Sequence, residues 1–212
     1  MAGKKNMGSV RGEAAERRRH RLASLAREDI LRAAAAAFAT RGYQAATLQQ
    51  IAAEAGFTAA SLYTYFPSKE AIYRELGATV VAEVTAPFRR KVPAGWTFVE
   101  RVAALIAAQC EVAQRRRDAF LFFMRLIERG ETVPGKNPDH GRELIELCEQ
   151  WMRRNAPADA LRLGPEEAGL VLWAVLNAFV YRWLTGERSE PLSGAAGRIQ
   201  DVFLRGVLRR AR

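Results

Sequence analysis

Tyr63 and Tyr65, with Thr58, Ser61 and Thr64 close by, put a row of hydroxyls along the stretch Thr58-Ala-Ala-Ser-Leu-Tyr-Thr-Tyr65. Such groups suit hydrogen bonds to phosphate oxygens. At about 100° per residue, a helix here points Leu62 and Phe66 to one side and Ala60, Ser61 and Thr64 to the other. The two phenols flank the second face. A ridge of small side chains lets a helix sit close to the floor of a groove, where methyls can touch thymine methyl groups. The competing reading is a helix packed on another helix through its alanines.

The elements that must carry this ridge are also legible. Thr47 followed three residues later by Gln50 is a capping box, so a helix starts there. Leu48, Ile51, Ala52 and Ala55 repeat as one apolar stripe. Gly56 stands where a left-handed residue ends a helix, and Thr58 can cap the next one. Helix, glycine-containing corner, helix is the helix-turn-helix pattern. Before it, Ile30, Leu31, Ala34, Ala37 and Phe38 predict a packing helix from about Arg27 to Thr40, with Gly42 ending it and Tyr43 wedging the corner. After it, Ser68 caps a further helix, and Lys69 in that first turn opposes the helix dipole, as a nearby phosphate would favour.

From Ile30 to Tyr73 the wording is that of a family. Ile30-Leu-Arg-Ala-Ala-Ala-Ala-Ala-Phe38, Gly42-Tyr43, Thr47, Ile51-Ala52, Ala55-Gly56-Phe57-Thr58, Ser61-Leu62-Tyr63-Thr-Tyr65-Phe66 and Ser68-Lys69-Glu70 occur in order. The stretch closely resembles the DNA-binding domain of the TetR (tetracycline-repressor-like) family of bacterial transcriptional regulators. The resemblance implies that Thr47, Thr58, Tyr63, Tyr65 and Lys69 hold the DNA backbone and that Ala59, Ala60 and Ser61 approach bases. Ala60 stands where many members carry Gly, and no long polar side chain occupies the face. DNA shape would then share the burden of selectivity.

The chain has 212 residues, a formal charge of +10 and no strand-like alternation. The expectation is therefore an all-α protein with a plausible polyanionic partner. Three parts follow: a basic, disordered arm over 1–26, a three-helix helix-turn-helix domain over 27–73, and a helical ligand-binding and dimerisation domain over 74–212. More than half of the charge excess lies in residues 1–27, where eight Lys and Arg residues face only Glu13 and Glu16. Arg17, Arg18 and Arg19 are the part of the arm expected to follow DNA, the alternative being a solvated tail.

In the body, Thr97 with Glu100 opens a helix ending at Arg115-Arg-Arg117, and Asp118 caps an apolar segment. The Gly- and Pro-rich stretch 130–141 reads as a loop. A helix from about Asp139 to Asn155 follows. Gln109, Phe120, Phe123, Met124, Ile127, Trp151, Trp173 and Asn177 form an aromatic, sulfur-containing set with two amides. That composition suits a pocket for an apolar small molecule, or an ordinary core with a buried amide. Pro165 opens a helix to about Thr185 that is apolar all round from Ala168 to Tyr181, which implies burial on both flanks. With the last helix it predicts a four-helix bundle between two chains, made by Leu170, Ala174, Phe179, Ile199, Val202, Phe203 and Gly206. The resemblance implies the same homodimer.

Neither His20 nor His140 is set near a nucleophile or carboxylate cluster, and no phosphate-binding glycine loop or metal spacing occurs, so neither an enzyme nor a cofactor is expected. Cys110 and Cys148 read as buried apolar residues. The uncharged run 168–181 is shorter than the roughly 20 residues that cross a bilayer, and the N-terminus lacks an apolar signal core. The expectation is a cytoplasmic regulator that binds an operator in double-stranded DNA and a small-molecule effector; a constitutive DNA-organising protein without a ligand is the alternative.

Overall fold

The computed structural model describes residues 3–129, 133, 140–157, 160–186 and 190–209, with the helix alone described for 3–12. The described residues are helical apart from turns and one isolated antiparallel bridge, Leu161 to Leu208. The chain divides into two compact units, Met1–Leu76 and Gly77–Arg212.

The first unit holds α1 (Gly3–Arg41), α2 (Leu48–Glu54), α3 (Ala59–Tyr63) and the start of α4 (Lys69–Arg89). Its core forms where Ile30, Ala34 and Phe38 of α1 meet Ile51, Leu62, Phe66 and Ile72, all nearly inaccessible to solvent. Gly42 and Gly56 adopt positive φ (81° and 78°), which a side chain would resist. At Gly56 the amides of Gly56 and Phe57 reach back to the carbonyls of Ala53 and Ala52, closing α2 with a paired C-terminal cap and aiming the chain into α3. The arm expected to be disordered instead continues α1 as far as Gly3. Its Arg, Glu, Ala and Leu are good helix formers, and no proline interrupts them, so backbone propensity can extend a helix already nucleated by the packed turns after Ala26.

The second unit continues α4 and adds α5 (Phe98–Arg115), α6 (Arg117–Arg129), α7 (His140–Asn155), α8 (Pro165–Thr185), a 3₁₀ turn (Leu192–Ala195) and α9 (Ala196–Val207). Pro87 stands in the last turn of α4, which ends two residues later at Arg89. The expected loop 130–141 lies, but for Val133, His140 and Gly141, outside the described residues. Val102, Ile106, Cys110, Cys148, Met152, Leu172, Ile199 and Phe203 build the core. The free thiols of Cys110 and Cys148 are buried, and burial pushes their pKa up to about 11 and about 12. At Gly169 α8 approaches α7 so closely that an added Cβ would lie 2.5 Å from the backbone nitrogen of Glu149.

By length and composition α8 is apolar enough to cross a membrane, a test that the uncharged run 168–181 taken alone does not pass. Its buried residues, Ala168, Gly169, Leu172, Leu176 and Leu184, make it a core helix with a second apolar face left over.

Candidate nucleic-acid interface

Both helices of the reader are closed by side chains from their own sequence. The Thr47 hydroxyl accepts from the Gln50 amide at 3.2 Å, and the Gln50 side chain accepts from the Thr47 amide at 3.0 Å. The Thr58 hydroxyl accepts from the Ser61 amide at 3.1 Å and shares a 2.9 Å hydrogen bond with the Ser61 hydroxyl. Thr64 turns its hydroxyl to the Ser61 carbonyl at 2.6 Å. Thr47, Thr58, Ala60, Ser61, Tyr63 and Thr64 are exposed, while Leu62 and Phe66 are sealed inside the unit. Tyr63, 54% exposed, carries its ring into solvent. Ala59 and Tyr65 are half-buried, and the Tyr65 ring meets Phe57 edge-on.

Arg27 positions the end of this ridge. Its guanidinium forms a two-armed pair with the Glu75 carboxylate and donates to the Tyr65 carbonyl at 2.7 Å. It also lies 4.3 Å from the centre of the Phe66 ring. The sequence places Arg27 only in the basic stretch and at the start of the packing helix, with no role at the ridge. Nothing local marks it, because its partners are 38 and 48 residues away.

Lys69 requires a correction. Its ammonium donates to the carbonyls of Tyr43 (2.7 Å), Gln44 (3.1 Å) and Ala46 (2.9 Å), which uses its three protons. The α1–α2 corner turns these carbonyls to one point, and a cation satisfies them together. The side chain is thus a clamp on the corner, with no proton to spare for a phosphate. Tyr43 is buried between Phe38 and Tyr73, with the Glu70 carboxylate near its hydroxyl. Burial first, then the nearby Glu70 carboxylate, push its pKa up to about 12. Arg17, Arg18 and Arg19 are exposed on α1, with Arg17 3.6 Å from Glu13.

None of the body residues singled out for a ligand lines either of the two clefts described below. Gln109 is buried, and its amide donates to the Val84 carbonyl at 2.9 Å. Trp151 belongs to the core beside Phe98. Phe120, Phe123, Met124 and Trp173 are half-buried. Ile127 is 82% exposed, and Asn177 is exposed and bonded to the Trp173 carbonyl of its own helix. These two are therefore not pocket-lining: α6 turns Ile127 away from the buried Ala119–Phe122–Leu126 stripe. Among the described residues, clefts open elsewhere, one of about 310 Å³ by Phe179, Trp183 and Arg198 and one of about 440 Å³ by Met152, Leu161 and Arg209. No group of three His, Cys, Asp or Glu side chains among them is disposed to hold a metal.

The interface set divides as well. Leu170, Ala174 and Val202 are exposed, and the space around Gly206 is open. Ile199 and Phe203, by contrast, are wholly buried within the chain, and Phe179 is half-buried against the same core. The stripe on α9 is consumed by its own unit, so only the flank beside it remains for another molecule.

A short capped helix presenting a bare ridge, held by a preceding helix and joined through a glycine corner, defines a helix-turn-helix protein with an all-helical body. Residues 30–76 match the family model described as bacterial regulatory proteins, tetR family. An uncharacterized HTH-type transcriptional regulator of Bacillus subtilis, YdgC, is 50% identical over 50 residues, 24% of this chain and 26% of that one. The HTH-type transcriptional repressor KstR2 of Mycobacterium tuberculosis is 32% identical over 108 residues, 51% of this chain and 54% of that one. The chain thus spans about half or less of the length of these two relatives. The crystal structure of the TetR family transcriptional regulator PfmR from Thermus thermophilus superposes with a TM-score of 0.65 at 22% identity, over 83% of this chain and 97% of that one, a likeness of fold. Over residues 30–76 the chain thus matches the tetR family, and its fold is like that of a TetR family regulator.

Proposed function

We propose that the chain is a homodimeric, sequence-specific transcriptional repressor, released from its operator by a small apolar or aromatic molecule. The observation that carries this reading is the α3 surface: Ala60, Ser61, Thr64 and the 54%-exposed Tyr63 stand outward while Leu62 and Phe66 anchor the helix beneath. Tyr63, Thr47 and Thr58 hydroxyls meet phosphates, and Ala59, Ala60 and Ser61 approach bases. The spare faces of α8 and α9, with Leu170, Tyr181 and Val202 each about half exposed, support pairing with a second copy. Two readers then enter successive major grooves about 34 Å apart on a near-palindromic site. KstR2 is a repressor, which supports repression here.

The protein acts in the cytoplasm, without catalysis. Phe120, Phe123, Met124 and Trp173 remain to line an effector site. An effector acts only if it binds two states unequally, and α4, which belongs to both units, is the element whose displacement would carry the change. The test is capture of genomic fragments by the purified chain: recovery of a shared two-fold-symmetric sequence is the expected result, and indiscriminate recovery in proportion to fragment length refutes it.

One observation favours a second reading, a constitutive DNA-organising protein. None of the eight residues expected around a ligand lines either of the two clefts described, and two of them face solvent. Melting temperature measured across a panel of apolar compounds separates the two; a flat response supports the constitutive protein.

A further inference from the structure

The residues between α7 and α8 and those after α9 form a small built feature that operator binding does not use. The Arg162 amide donates to the Val207 carbonyl at 2.7 Å, and the Arg209 amide to the Ala160 carbonyl at 3.0 Å, the two bonds of the Leu161–Leu208 bridge. Each arginine then crosses to the opposite segment: Arg162 donates to the Gly206 carbonyl at 2.8 Å and Arg209 to the Leu161 carbonyl at 2.9 Å. Among the described residues, both guanidiniums are thereby held at one nitrogen, with other N–H groups uncommitted and no acidic partner. They border the cleft of about 440 Å³, whose walls include Met152, Ala156, Leu161 and Leu163. Arg153, on the same cleft, is already neutralised by Glu166.

An apolar wall with two oriented guanidiniums at its edge, neither paired with an acid among the described residues, is complementary to a molecule with an apolar body and one planar anionic end. Arginine's fork matches a carboxylate through two parallel hydrogen bonds, and the cleft volume falls in the range of small-molecule sites. We propose that this cleft binds a monocarboxylate with an apolar tail, its carboxylate between Arg162 and Arg209 and its tail along Met152 and Leu161. No residue of α3 lines the cleft, so binding there stands or falls independently of the operator reading.

Calorimetric titration of the full chain with decanoate, below its micelle-forming concentration, tests this, with decanol and inorganic phosphate as controls. Saturable one-to-one binding of decanoate, at least tenfold tighter than either control, is expected. Arg162→Gln and Arg209→Gln should each weaken it about tenfold, with melting temperatures of the free variants recorded to show that they fold. Glu166→Gln removes the carboxylate that occupies Arg153 and should tighten decanoate binding, a gain that a merely structural role for these arginines does not produce. Equal binding of decanol and decanoate, no binding of decanoate, or indifference to all three substitutions overturns the proposal.

Discussion

The ammonium of Lys69 lies 2.7 Å from the carbonyl oxygen of Tyr43 and 4.6 Å from the centre of the same residue's ring. One cation thus holds both the backbone and the aromatic face of the residue that fills the α1–α2 corner. The arrangement separates two roles that a lysine at the start of α4 could have, and it makes them distinguishable by experiment.

Lys69→Ala should destabilise the first unit by about 1.5–3 kcal/mol, the worth of hydrogen bonds to a charged group. If Lys69 touched a phosphate, its loss would also reduce the log–log salt slope of DNA binding by about 0.9. The expected outcome is a lower melting temperature with an unchanged slope.

Tyr63→Ala should leave thermal stability within about 0.5 kcal/mol of the parent, since the ring is more than half exposed. Operator binding in a gel-shift titration should weaken by about 1–3 kcal/mol, the loss of a phosphate hydrogen bond and its ring contacts. Unaltered affinity would remove Tyr63 from the interface.

Leu170→Glu places a charge on the spare face of α8 without touching the chain's own core. Sedimentation should show monomers at concentrations where the parent is dimeric, and operator affinity should fall at least tenfold because two half-sites no longer bind together. A parent that sediments as a monomer throughout would refute the pairing.

Gly169→Ala should destabilise the second unit by about 1–3 kcal/mol, the range for overpacking. The added methyl meets backbone of α7 at 2.5–2.9 Å, which no rotamer change can relieve. This exceeds the roughly 1 kcal/mol that alanine gains over glycine inside a helix. Chemical denaturation followed by the fluorescence of Trp151 and Trp173 reports it.

Glu83 supplies a pH dependence. Burial raises its pKa, but hydrogen bonds from Arg116 (3.0 Å) and Arg115 (3.1 Å) and their charges outweigh this, and the net shift is downward. A depressed folded-state pKa contributes stability above the unfolded value, about 4.3, and that contribution is lost as pH falls through the folded value. The stability difference between the parent and Glu83→Gln should therefore be constant near neutrality and shrink below about pH 4. A difference that grows on acidification would contradict the pairing.

How much of this was legible beforehand depended on the range of the interactions. Thr47 with Gln50, Thr58 with Ser61, and Gly56 with Phe57 act within one helical turn, so residue identity and spacing determined the caps, the corner and the outward ridge of α3. Apolar periodicity likewise determined the all-helical class, because burying one stripe per helix is a local requirement. What only the tertiary structure decided is where distant groups meet. Lys69 could have faced a phosphate or a ring of carbonyls, and the path of the corner from Tyr43 to Ala46 settled it. Ile199 and Phe203 share a stripe with Val202 in any helical projection, yet packing against α5 and α8 took the first two and left the third outside. Ile127 belongs to a segment of nearly unbroken apolar residues, and only the rotation of α6 turned it outward. Periodicity names the candidates for burial; long-range packing chooses among them, because a helix face is buried only where another surface arrives to cover it.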